Sequence, residues 1–311
     1  IMATADTVTV LRKGRYIGTV KTKDTNKQQL SEMMVGRPVQ LKVDKNKATP
    51  GETVLKVEKL CVNSSQSKEK NAVDNVTFQV KKGEILCIAG IDGNGQSELI
   101  EAITGLKKIS SGKVELMGKD ITDLPVRQRN EHGISHIPED RQKHGLVLDF
   151  SLKDNLVLKR FREKRFQNFS IINSDEIKNY ADKLSSDFDI RSGEGAATVT
   201  RNMSGGNQQK AIIARELDLD KPLIIAVQPT RGLDVGAIEF IHKNLVKKRD
   251  EGKAVLLVSL ELDEVLSLAD RILVIYEGQI VGEFDPEQAS ASLLGIYMSG
   301  AKKNVSEVQD D

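Results

Sequence analysis

Four short runs in this chain, EILCIAG (84–90), PLIIAV (222–227), VLLVSL (255–260) and ILVIY (272–276), are apolar at almost every position. Runs this short cannot cross a bilayer as helices, and runs this uniformly apolar do not suit strands with one face in water. They read as strands buried on both faces, the pattern of a mainly parallel sheet covered by helices. Helical periodicity between the runs makes the expected class α/β with a sheet core. The stretch from about 141 to 215 departs from this alternation. It holds charged segments such as SLKDNLVLKRFREKRF and DEIKNYADKLSSDF, and it is expected to form a helical subdomain inserted in the sheet domain.

Charge narrows the functional classes. Across 311 residues, 46 basic and 45 acidic side chains leave a net charge of +1. That balance gives no electrostatic footprint for nucleic acid, and no basic helix stands out for membrane lipid. Nothing at the N-terminus reads as a signal peptide. Cys61 and Cys87 both fall in strand-like contexts, which suits a reducing cytosol better than a disulfide framework.

The chain also repeats itself. ADTVTVLRKGRYIGTV at 5–20 aligns with ADRILVIYEGQIVGEF at 269–284, a constant offset of 264 residues. Ala5, Asp6, Val10, Gly14 and Gly18 match Ala269, Asp270, Val274, Gly278 and Gly282. The register continues without a gap, so that Leu30, Met34 and Gly36 match Leu294, Met298 and Gly300. Each copy reads as strand, tight turn, strand and short helix. Duplication explains this better than chance, and residues 1–36 are then expected to be the tail of a first domain whose body lies outside this fragment. Residues 37–52, polar and carrying two prolines, read as a linker. The second domain spans 53–300, and AKKNVSEVQDD at 301–311 reads as a disordered tail.

Three motifs lie within 53–300. GIDGNGQS at 90–97 joins a buried strand to a helix, so backbone N–H groups and the helix N-terminus converge on one point, as a phosphate requires. An ordinary strand-to-helix turn would also carry such glycines, and the lysine of a standard phosphate loop is here Gln96. MSGGNQQKAIIAREL at 203–217 opens a helix with Ser204, Gly205 and Gly206 and places Arg215 further along it. A serine cap alone does not require so specific a run. PLIIAVQPTRGLDVGA at 222–237 is a buried strand followed by a tight loop.

In this order the motifs resemble the nucleotide-binding domain of an ABC transporter, a P-loop NTPase fold, over essentially all of 53–300. GIDGNGQS is similar to its Walker A loop, MSGGNQQ to its signature, and GLD at 232–234 to its D-loop. The resemblance implies nucleotide contacts from Gly90, Gly93, Asn94, Gly95, Gln96, Ser97 and Glu98, with Ser97 as the Mg²⁺ ligand. It implies a Q-loop position at Glu139, an interface role for Asp234, and ATP and Mg²⁺ as cofactors. The departures concentrate on chemistry. The family's aspartate and glutamate after the Walker B strand are here Val227 and Gln228, its switch histidine is Leu260, and no aromatic stands near Val62 to stack an adenine. A charge-assisted contact of the kind lost with the lysine is worth about 1.5–3 kcal/mol. Loss of the metal and water-orienting carboxylates attacks the rate itself.

In such domains paired head to tail, each ATP lies between one Walker A loop and the other domain's signature. The resemblance therefore implies a degenerate site of its own and an intact signature, Ser204, Gly205, Gly206 and Gln209, lent to the ATP of the first domain. Tandem copies with a lysine-less second member resemble the ATP-binding subunits of bacterial importers for simple sugars and nucleosides. GIDGNGQSELIEAITGL, HIPEDRQKHGLVLDFSLKDNLVL, QPTRGLDVGAIEFIHK and LVSLELDEVLSLADRI are similar to the nucleoside branch. The implied partners are the first domain of the same polypeptide, two membrane permease subunits and a substrate-binding lipoprotein, at the cytoplasmic face of the membrane. The permeases would dock near Glu139 to Leu158. A sugar importer, a nucleotide-binding module without catalysis and a soluble ABC ATPase outside transport remain as alternatives.

Overall fold

The structure is a computed structural model that describes residues 1–12, 14–38, 43–64, 70–169 and 171–302. It begins with a small unit of its own. Strands β1 (Thr7–Arg12) and β2 (Arg15–Lys21) pair antiparallel, and helix α1 (Lys27–Val35) follows, its first turn capped by the Asn26 side chain accepting from the Gln29 N–H. Of the linker residues read from the sequence, 39–42 lie outside the described residues.

Four strands then form an antiparallel sheet. β3 (Thr53–Asn63) lies between β4 (Asn71–Lys81) and β6 (Ser111–Leu116), and β7 (Lys119–Asp120) extends the β6 edge. Sequence reasoning drew only the central sheet and missed this one. Its signal was available, because β4 buries Val76, Phe78 and Val80 and leaves Thr77 and Gln79 between them exposed, a two-residue period. Between β4 and β6 run β5 (Ile85–Ala89) and helix α2 (Gln96–Thr104).

The chain continues through α3 (Val126–His132), β8 (Ile134–Ile137), a wide helical turn at Arg141–Gly145 and α4 (Leu152–Val157). A miniature hairpin, β9 (Gln167–Asn168) and β10 (Ile171–Ile172), precedes α5 (Ser174–Asp187) and α6 (Gly205–Asp218). The segment that read as one charged helix from 151 is therefore helical only to Val157, and it is followed by turns and a hairpin. The closing elements are β11 (Leu223–Val227), α7 (Val235–Asp250), β12 (Ala254–Ser259), α8 (Leu262–Leu268), β13 (Arg271–Tyr276), β14 (Gln279–Phe284) and α9 (Ala291–Met298).

The central sheet has the order β14-β13-β5-β12-β11-β8, parallel except for β14 at one edge. All four apolar runs lie in it. Their uniform apolarity divides by alternation: Leu86, Ile88, Leu223, Ile225, Leu256 and Val258 face the antiparallel sheet and α2. Ile85, Cys87, Ala89, Ile224, Ala226, Val255 and Leu257 face the helices on the other side. A third apolar cluster, with Leu156, Phe166, Tyr180 and Leu184, belongs to α4, α5 and α6. Cys61 and Cys87 are both unbridged.

The repeat in the sequence has a structural counterpart. β1, β2 and α1 coincide with β13, β14 and α9 at the same 264-residue offset, within a residue at each end. Both hairpins shift register at the equivalent place, between Val10 and Leu11 and between Val274 and Ile275. Gly14 and Gly278 share a positive φ in the turn, as do Gly36 and Gly300 after the helix.

Candidate functional site

The glycine-rich loop leaves the buried end of β5 at Gly90 and enters α2 at Gln96. Its shape is held from behind. The Asn94 side chain accepts from the Glu277 N–H at 2.9 Å, and its carbonyl accepts from the Gly278 N–H at 3.0 Å, which ties the loop to the β13–β14 turn. Gly95, at φ 98°, caps α2, and a Cβ there would sit 2.3 Å from the Ala72 carbonyl oxygen, so only glycine fits. Gly93, also at positive φ, has open space above it. Gln96 does not reach out of the loop. Its side chain is 5% exposed and donates from Nε2 to the Ile91 carbonyl at 3.0 Å. Glu98 pairs with Lys107 at 3.7 Å. The loop is thus a preformed nest of amides whose helix brings a partial positive charge and no cationic side chain.

Beside the loop, where the family places two carboxylates, Val227 ends β11 in the core and Gln228 follows, 7% exposed and at a left-handed φ of 48°. Leu260 directly follows β12. Val62 is fully buried in β3, so it presents no platform for a base. Glu139 is hydrogen-bonded to Ser97: its Oε2 accepts from the Ser97 hydroxyl at 3.3 Å, and its Oε1 accepts from Arg231 at 2.9 Å. Sequence reasoning missed Arg231, since nothing along the chain relates positions 92 residues apart. Mg²⁺ commonly takes one or two carboxylates, with phosphates and water completing its shell. Ser97 and Glu139 are the oxygens that would hold it here, in competition with the Arg231 guanidinium. No cluster of three or more His, Cys, Asp or Glu suited to a metal occurs among the described residues. Next to Glu139, the N–H groups of Lys143 and Gln142 hold the Asp140 carboxyl below its usual range.

The signature residues lie elsewhere. Ser204 caps α6, its hydroxyl accepting from the Asn207 N–H at 3.4 Å and from the Asn207 side chain at 2.9 Å. Ser204 stays exposed, and Gly205 and Gly206 are half-buried. A Cβ on Gly206 would find nothing nearer than Leu233 at 3.9 Å, so packing within the chain does not demand glycine there. Asp234 caps α7 by accepting from the Ala237 N–H at 2.9 Å. Ser204, Gly206 and Asp234 share one cleft of about 710 Å³, which Arg12, Arg37, Arg191 and Lys210 also line. Gln209 is 4% exposed and donates to the Pro229 carbonyl at 3.0 Å, tying α6 to the loop before Asp234.

A buried ionic cluster joins the sheet to the helical elements. The Glu216 carboxylate accepts from Lys159 at 2.7 Å, from Arg215 at 2.9 Å and from the Ser135 hydroxyl at 3.1 Å. Burial alone would raise its pKa, but Lys159 and Arg215 outweigh that and bring it down to about 2. Arg215, which sequence reasoning placed with the signature, reaches the Gly145 carbonyl instead, at 2.8 Å, and is 3% exposed.

Comparisons with known proteins bear on the family and the fold. The family described as ABC transporter matches residues 73–231. The chain is 48% identical over 296 residues to the guanosine import ATP-binding protein NupO of Bacillus subtilis, covering 95% of this chain and 58% of that protein. It is 46% identical to the nucleoside import ATP-binding protein NupA of Lactococcus lactis, covering 98% and 60% respectively. With the ribose import ATP-binding protein RbsA of Clostridium tetani it shares 39%, covering 96% and 57%. It therefore spans somewhat under two thirds of these relatives. Among solved structures, a dimeric ATP-binding cassette in a post-hydrolysis state with ADP and Pi matches at a TM-score of 0.65 and 24% identity, over 75% of this chain and 98% of that one. That likeness concerns the fold.

Proposed function

The chain belongs to the ABC transporter family, and on that footing we propose that it is the second nucleotide-binding domain, with the preceding tail, of the ATP-binding subunit of a bacterial nucleoside importer. The observation that carries this reading is an asymmetry between its two phosphate-facing surfaces. The loop at 90–97 is shaped for phosphate but has no lysine, and Val227 and Gln228 stand where the metal and water-orienting carboxylates belong. The signature face keeps an exposed Ser204 hydroxyl at a helix N-terminus, open space over Gly206, and Asp234 in the same cleft. A surface so equipped, with a glycine at 206 that the chain's own packing does not demand, suits an ATP held by another domain. The first domain of the same polypeptide would supply that ATP. The shorter span of this chain beside its relatives leaves room for such a domain.

In this reading the loop holds nucleotide weakly through its amides and turns over none. Mg²⁺, when bound, would neutralise phosphate charge. The domain would sit against two permease subunits at the cytoplasmic face of the membrane, with a substrate-binding lipoprotein on the other side. Val147, Phe150 and Val199, 38–48% exposed around Ser151, offer apolar surface in the region expected to meet the permeases. The nucleoside assignment rests on relatives named for guanosine and nucleoside import at 48% and 46% identity. A relative named for glucose import, at 42%, supports the sugar alternative, and uptake of labelled guanosine against labelled glucose by cells carrying the transporter separates the two.

The test uses the full-length parent. Ser204→Ala and Gly206→Asp are each expected to lower its ATPase rate at least about tenfold, since a donor aimed at developing phosphate charge is worth that or more. Gln96→Ala is expected to change it less than about twofold. Equal losses from the two sides would falsify the division of labour.

A further inference from the structure

Between α4 and α5 the helical part of the molecule carries a hairpin whose tip lies outside the core. β9 and β10 pair through only two residue pairs, Asn168 with Ile171 and Gln167 with Ile172. The root is anchored: Phe166 is fully buried, its ring centroid 5.0 Å from that of Tyr180. The tip is the reverse. Phe169 is 92% exposed, Ile171 74% and Ile172 57%, and the Phe161 ring, 42% exposed, lies on the preceding turns. Phe169 also holds a positive φ of 46°. Single exposed apolar residues are ordinary, but three at the end of so short a ladder form a projecting patch.

Positive charge surrounds this patch. Arg160, Arg162, Lys164 and Arg165 precede the hairpin within six residues, interrupted by one acid, Glu163. Arg160 is taken up by Glu163 and Asp218, and Arg165 by Glu176. Among the described residues, Arg162 and Lys164 form no ion pair, and both are exposed. The Arg162 guanidinium stacks 5.5 Å over the Phe161 ring. A cleft of about 350 Å³ runs between Lys164 and Arg165 on one side and Phe169, Ile171 and Ile172 on the other.

We propose that the β9–β10 hairpin and the turns before it dock on an anionic bilayer surface, with Phe169, Ile171 and Ile172 entering the boundary between headgroups and acyl chains while Arg162 and Lys164 meet lipid phosphates. Apolar side chains flanked by unpaired cations on flexible stems are what an interfacial segment needs. Charge complementarity selects an anionic lipid surface over a neutral one. No single helix carries this surface, so periodicity could not reveal it. The inference stands apart from the assignment of the phosphate loop and signature face.

The test is sedimentation of the full 311-residue chain with vesicles of about one-third phosphatidylglycerol in phosphatidylcholine, against pure phosphatidylcholine. The chain is expected to bind the anionic vesicles, to bind neutral ones at least about tenfold more weakly, and to release on added salt. Arg162→Glu with Lys164→Glu is expected to weaken anionic-vesicle binding by about 25-fold or more, from about fivefold per charge removed. The triple serine variant of Phe169, Ile171 and Ile172 should lose binding while its thermal unfolding is unchanged, because these side chains are outside the core. Absence of binding by the intact chain overturns the proposal, as does binding by either variant equal to that of the intact chain. If the intact chain ignores vesicles and the triple variant fails to assemble with permease subunits, the hairpin is a protein contact and the lipid assignment falls.

Discussion

At position 96 one residue changes what the loop can do. A lysine there would extend toward the phosphates, but Gln96 folds under the loop and satisfies the Ile91 carbonyl from a nearly buried position. Its role in this chain is to hold the nest together. Gln96→Ala leaves that carbonyl without its side-chain partner and a small void beneath it, so it is expected to cost about 1–2 kcal/mol of stability. Urea unfolding would read this as a lower midpoint at an unchanged slope. An unchanged midpoint would show that the amide does not support the loop. Gln209 teaches the opposite lesson about reading residue type alone. An amide next to a serine–glycine pair invites a phosphate contact, and here its N–H holds the Pro229 carbonyl.

Among elements, the junction of β8, α4 and α6 depends on charges that no local pattern displays. The segment after Ser151 has the composition of a longer helix, but it leaves the helix after Val157. Lys159 turns inward to Glu216, while Arg160 turns to Glu163 and Asp218. Tertiary partners outweigh a propensity worth a few tenths of a kcal/mol per residue. His136, on β8 in the same cluster, is pushed down from 6.5 to about 4, first by burial and then by Lys159. Its folded pKa is the lower one, so its contribution is complete above pH 6.5 and is lost as pH falls toward 4. The amount is roughly 3 kcal/mol. Stability measured by denaturant across that window should slope downward toward acid, and His136→Leu should flatten the slope. Glu216 acts below it, losing its contribution as pH falls from 4.5 toward 2.

For the whole molecule, the two candidate half-sites line different clefts, one with Ser97 and Glu139, the other with Ser204 and Asp234. The isolated chain mixed with ATP and Mg²⁺ is therefore expected to show weak binding by calorimetry and phosphate release well below about 1 s⁻¹. Turnover at ordinary enzyme rates would mean that Glu139, beside Ser97, does the work assigned to the missing carboxylates. Much of this molecule was legible along the chain. Uniformly apolar runs this short read as doubly buried strands, and glycines between strand and helix suit a phosphate loop as well as an ordinary turn. A constant offset marks a repeat, because these signals are carried by neighbours in sequence. The antiparallel sheet was written in its alternation and was overlooked. What the tertiary structure alone decided is the direction and partner of polar side chains: Gln96 and Gln209 turned inward, Arg231 on Glu139, Lys159 on Glu216, and the apolar hairpin tip beside Arg162 and Lys164. Each depends on groups brought together from distant positions or on which face of an element the core leaves open. A one-dimensional pattern records residue type and period, and the partner of a long side chain is fixed only when the chain has closed on itself.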